Sequence, residues 1–202
     1  GAGYTLVNPP YTTTVPGEYA IATDPFSVNP TFITGADHSP TGAGNMLIVD
    51  GSTNATGQPL FWEAGNTAGG TVCGLAIGGT YIFSYWIKSV GTTVTNAATS
   101  ADIRLDISNA SAVTLVSGTA LAPLPAAGWQ RVTYSFVATA ACAHIGLWNN
   151  NVSAIGNDFA IDDVTLTPPG EIYINTSPVC QNSASPIVSF VSNVPNATSF
   201  TY

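Results

Sequence analysis

The chain has 202 residues, of which 45% are hydrophobic and 7% charged, and its formal net charge is −8. That length and hydrophobic share describe one folded domain plus a fragment rather than a disordered chain. The three basic residues, Lys88, Arg104 and Arg131, are too few to neutralise a phosphate backbone or to hold an anionic bilayer, which excludes nucleic-acid partners. No apolar run approaches the ~18 residues needed to span a bilayer, so membrane insertion is excluded too.

Helical periodicity of useful length is absent, whereas period-two alternation recurs between Gly, Pro, Asn and Asp punctuation. In chain order the alternation predicts strands over 4–7, 18–23, 45–49, 59–63, 72–77, 81–89, 102–108, 112–116, 130–138, 142–148 and 159–166. Alternation also assigns faces. Tyr81, Phe83, Tyr85 and Ile87 share one side. So do Ile103, Leu105 and Ile107, then Val132, Tyr134 and Phe136, and finally Ala143, Ile145 and Leu147. Half-buried antiparallel sheets facing each other through these sets make an all-β sandwich, read here as a jelly roll over residues 1–167.

Thr167-Pro168-Pro169-Gly170 cannot continue a central strand, because the prolines remove ladder donors. Residues 168–202 therefore read as a linker and the first strands of an immunoglobulin-like module, and further domains of the same chain are expected to follow. Cys73 and Cys142 flank the central strands and are expected to bridge, which the chain-entropy model values at about 4 kcal/mol for a loop of this length. Two buried thiols are the alternative, and Cys180 is left seeking a partner. The first residue is Gly1 and the only methionine is Met46. A removed secretory segment is expected, and the scarcity of Lys and Glu points to a secreted or cell-surface setting.

Two stretches carry chemistry. The segment Gly35-Ala36-Asp37-His38-Ser39-Pro40-Thr41-Gly42-Ala43-Gly44-Asn45-Met46-Leu47-Ile48-Val49-Asp50 combines a carboxylate, hydroxyls and glycines that lead into an apolar strand. Further on, Gly156-Asn157-Asp158-Phe159-Ala160-Ile161-Asp162-Asp163-Val164-Thr165-Leu166 changes its apolar parity between Ile161 and Val164, which implies a β-bulge at Asp162 and Asp163. Two adjacent carboxylates repel unless positive charge sits nearby. Calcium, which takes six to eight oxygens, would supply it. The alternative is that Asp37 caps a turn and the Asp pair is a solvated strand end.

Together with Gly128-Trp129-Gln130 leading into a strand, these segments resemble the galactose-binding-like jelly rolls over about residues 17–167. The likeness is to MAM domains and calcium-stabilised carbohydrate-binding modules, in the texture found in secreted and surface adhesins of gliding Bacteroidota. The resemblance implies a structural calcium ion between the first loop and the last strand, with Asp37, Asp162 and Asp163 as ligands. The sequence lacks the full cysteine set of MAM domains and their acidic-aromatic first strand.

The polar faces of the strands give a second constellation: Trp86 and Lys88, Arg104 and Asp106, Arg131 and Thr133, His144 and Trp148. Indole rings with charged neighbours suit sugar recognition, so Trp86, Lys88, Arg104, His144 and Trp148 are candidate ligand-binding residues. Trp62 and Trp129 read as core or corner residues. No GxSxG, HExxH or CxxC motif is present, and paired carboxylates such as Glu63 and Asp106 are not selected by spacing, so no enzyme is expected. The sequence thus favours a non-catalytic extracellular recognition module that binds a glycan or another surface. A spacer domain, or an ancillary domain of a glycosidase, is the alternative.

Overall fold

The computed structural model describes residues 4–11, 13–53, 60–64, 70–153, 155–168, 172–175 and 189–192. In chain order its elements are β1 (Thr5–Leu6), β2 (Glu18–Ala22), α1 (Pro25–Val28), β3 (Met46–Val49), β4 (Leu60–Glu63), β5 (Thr71–Cys73) and β6 (Thr80–Ser89). There follow β7 (Asp102–Asn109), β8 (Thr114–Leu121), β9 (Gln130–Val137), β10 (Cys142–Asn149), β11 (Phe159–Thr167), β12 (Ile172–Asn175) and β13 (Ser189–Ser192).

One sheet has six strands in the order β1-β2-β3-β11-β6-β9, and the other runs β4-β10-β7-β8 with β5 also paired to β10. All these pairings are antiparallel except that of β1 with β2. The fold is an all-β jelly-roll sandwich. Strands β12 and β13 pair antiparallel in a separate two-stranded sheet. Cys180 lies outside the described residues.

The inner faces meet as period-two parity requires. Phe83, Tyr85 and Ile87 of β6 pack with Ile103, Leu105 and Ile107 of β7 and with Ala143, Ile145 and Leu147 of β10. Cys73 and Cys142 face each other in the β5–β10 register and form a disulfide. A second apolar cluster lies on the other side of the six-stranded sheet, where Val28 of α1 and Phe32 cover Ala20, Met46, Ile48 and Ala160.

Three elements depart from the alternation. The strand expected over 112–116 begins at Thr114 and runs on to Leu121, because Ala112 occupies a turn at φ 60°. Gly118 is tolerated mid-strand because Tyr134 lies against it: a Cβ there would come within 2.6 Å of the Tyr134 ring. The strand expected over 72–77 stops at Cys73, where Gly74 takes φ 91°. The short helix α1 was not expected, although Asp24 at its N-cap accepts from the Phe26 amide and Pro25 opens it, a local signature of a helix start.

Tyr85 is fully buried, and among the described residues its hydroxyl has no hydrogen-bond partner. Burial drives the phenol well above its ordinary pKa, so it stays protonated. An unsatisfied buried hydroxyl costs stability, so Tyr85→Phe is expected to raise the unfolding free energy by about 1 kcal/mol, read from the urea midpoint at unchanged slope.

Candidate functional site

The outer face of the five-stranded sheet gathers three of the expected ligand-binding residues. On β10, His144, Gly146 and Trp148 alternate on one face, and in register with them stand Ser108, Asp106 and Arg104 of β7. Gly146 is also opposite Glu63 of β4. The indole of Trp148 lies across Gly146, where an added Cβ would come within 2.3 Å of ring carbon Cη2. Only glycine leaves room for that ring. The Arg104 guanidinium stacks 4.7 Å from the ring centroid, and its Nε lies 3.0 Å from Asp106 Oδ2. Asp106 also accepts a hydrogen bond from the Ser117 hydroxyl on β8. The result is a half-buried aromatic ring with a donor fork, a carboxylate and hydroxyls around it.

Trp86 and Lys88 are on β6, so the five residues do not form one site. The sandwich places these two on the outer face of the opposite sheet, beneath the loop that follows α1. There the His38 imidazole stacks on Trp86 at 3.6 Å between ring centroids and meets Trp129 edge-on at 6.0 Å. Lys88 is 9% exposed, donates to the Ala36 carbonyl at 2.7 Å and sits 4.5 Å over the Trp129 ring. Burial lowers the Lys88 pKa, opposed by the charges of Asp24, Asp162 and Asp37. Arg131 on β9 donates to Ser84.

The first loop does meet the last strand, through His38. Its amide donates to Asp162 Oδ2 and its ring Nδ1 lies against Asp163 Oδ2, both at 2.8 Å. The bulge is present: the β11–β6 register shifts between Asp162 and Thr165, and Asp163 adopts φ 46°. Asp162 Oδ1 accepts the Asp163 amide at 2.8 Å. Asp37 instead closes its own loop, Oδ2 accepting the Gly44 amide at 3.0 Å, while its Oδ1 is buried and among the described residues has no hydrogen-bond partner. Asp37, Asp162 and Asp163 therefore do not fit a calcium cage. Three of the carboxylate oxygens in reach already accept N–H groups, a fourth faces the His38 ring, and a lysine ammonium lies in their field. Among the described residues no group of three or more His, Cys, Asp or Glu side chains is placed to hold a metal ion.

Sequence reasoning missed a cluster at one end of the sandwich. Asp50 accepts from the Thr14 hydroxyl at 2.9 Å and from Asn29 at 3.2 Å, and Asp158 accepts the Gly51 amide at 2.9 Å. Both carboxylates line a cavity of about 340 Å³ with Phe32 and residues 91–93. Burial raises both, Asp158 to about 6, and Asp50 adds to that rise. No periodic pattern marks residues that meet only at loop ends, though the Asp-Gly of Asp50-Gly51 and the Asn157-Asp158 pair do mark turns.

No family model and no curated protein sequence matches the chain. Solved structures do. The sugar-binding C-terminal domain of EclA is 20% identical, with 52% of this chain and 68% of that one covered and a TM-score of 0.36. A family 16 carbohydrate-binding module is 17% identical over 68% of this chain and 85% of its own, TM-score 0.36. The first family 22 xylan-binding module of Paenibacillus barcinonensis Xyn10C is 9% identical over 76% and 87%, TM-score 0.41. No helix among the described residues is long and apolar enough to cross a membrane.

The raised Asp158 fixes a sign. Between the unfolded value of 3.8 and the folded value of about 6, the native chain holds a proton that the unfolded chain has released, so stability falls as pH rises through that window. Asp158→Asn keeps the acceptor for Gly51 and removes the charge. It is expected to flatten the decline, so that the variant melts above the wild type at pH 7 but not at pH 4, read by calorimetry across that range.

Proposed function

We propose that this chain is a non-catalytic, extracellular glycan-recognition module of a larger surface or secreted protein, with its binding face on the outer side of the five-stranded sheet. The observation that carries the reading is the Trp148 indole laid across Gly146 beside Arg104 and Asp106. An indole offers an apolar plane to the C–H face of a sugar ring, and the adjoining groups then order the hydroxyls. Arg104 donates and Asp106 accepts, while Ser117 and Glu63 widen the polar margin.

Nothing in this constellation needs a reaction. Asp106 accepts from Ser117 and pairs with Arg104. The disulfide supports an oxidising compartment. On the opposite sheet the first loop lies over Trp86, whose ring face is taken by the His38 imidazole.

Polysaccharide affinity electrophoresis or a glycan array tests the reading. Trp148→Ala is expected to weaken binding by about 2 kcal/mol, roughly thirtyfold in Kd. Gly146→Ala, which displaces the indole, is expected to weaken it in the same direction. Trp86→Ala should leave Kd unchanged if its fold is intact. Silence of the folded wild type across neutral and charged glycans would overturn the proposal in favour of a spacer domain.

A further inference from the structure

We infer that the Lys88 ammonium, and not a metal ion, is the cation that holds the first loop onto the last strand of this sandwich. Its position meets the requirements that made a cation necessary. Asp162 lies on β11, Asp37 lies on the covering loop and Asp24 caps the helix that leads into it, so one positive centre among them draws loop and strand together. The ammonium is fixed from three sides. Its stem rises from the outer face of β6 next to β11, in the register that sets Lys88 opposite Ala160. Its Nζ donates to Ala36 O at 2.7 Å and rests 4.5 Å over the Trp129 indole.

Local sequence is matched to this arrangement. Residue 35 is glycine, and a Cβ there would lie 3.1 Å from Lys88 Nζ, so a side chain would press the loop away from the charge. Trp129 Nε1 donates to the same Ala36 carbonyl at 3.3 Å, which fixes the ring that the ammonium covers. Among the described residues the buried Asp37 Oδ1 has no hydrogen-bond partner, and the charge of Asp37 acts on Lys88. A compact ammonium on a four-carbon stem is suited to this place, because it carries its charge into a buried site without needing the six to eight oxygens that calcium takes. A divalent ion at the same spot would meet a like charge at close range.

The inference concerns the scaffold and is independent of which glycan, if any, binds the other sheet. Its test is thermal unfolding of the chain after exhaustive dialysis against EDTA, then after adding calcium chloride, with metal content measured by plasma emission on the protein as purified. The melting temperature is expected to be the same in all states, with metal far below one equivalent. Lys88→Met, which keeps the stem and removes the charge, is expected to lower it by several degrees in both buffers. Asp37→Asn is expected to lower the melting temperature in the wild type but to cost little, or to restore some stability, in the Lys88→Met background. A chelator-induced fall that calcium reverses, stoichiometric metal in the purified protein, or a Lys88→Met variant as stable as the wild type would each overturn the inference. Should Lys88→Met fail to fold, the chelator and metal-content arms on the wild type still decide it.

Discussion

Acidic side chains in this chain outnumber permanent cations eleven to three, and the way the structure resolves that imbalance organises its loops. Carboxylates are held chiefly by N–H and O–H donors. Asp24 accepts from Phe26 and Gly35, Asp37 from Gly44, Asp158 from Gly51, and Asp162 from His38 and Asp163. Hydrogen bonds to an ionised acceptor are the stronger kind, and backbone amides supply them with no side-chain entropy to lose. The Asp24, Asp37 and Asp162–Asp163 bonds fix local turns, while Asp158 with Gly51 and Asp162 with His38 clasp segments far apart in sequence.

That arrangement makes the two outer faces of the sandwich unequal. Over the six-stranded sheet, the segment after β2 folds back, buries Val28 and Phe32 against Ala20, Ile48 and Ala160, and is clasped by His38 on the bulge and by Lys88 beneath it. Over the five-stranded sheet nothing comparable is laid down among the described residues, and polar side chains of β7, β8 and β10 surround one indole instead. Among the described residues the sandwich thus carries a covering segment over part of one outer face, with the outward residues of β9 left exposed, and none over the other.

Strand parity was legible from the sequence because it is a local property. The inward sets on β6, β7, β9 and β10 follow period two, and the parity change after Ile161 located the bulge. The meeting of the DH segment with the Asp162-Asp163 pair was legible as well, but not its agent. Periodicity gives no hint of which of two adjacent residues turns inward in a loop, and here His38 reaches the strand while Asp37 turns back to Gly44. The split of the five candidate ligand residues between two sheets was hidden for a similar reason: alternation says that Trp86 and Trp148 both point away from the core, not that their strands belong to opposite layers. The Asp50 and Asp158 pair could not be read because the two are separated by more than half the chain and meet only when the loops at one end are assembled. Gly146 carried a signal that only its neighbour explains, since a glycine inside a strand is meaningful once an indole is seen to lie across it.

The disulfide has a bearing on association as well as on folding. Strand β5 is only three residues long, and it finishes the side of β10 that β4 leaves uncovered. Unpaired ladder groups on an exposed edge are a template for strand addition by another copy. With Cys73 tied covalently to Cys142, that short ribbon cannot peel away to bare the first residues of β10, so the seam on which an added strand would start stays closed.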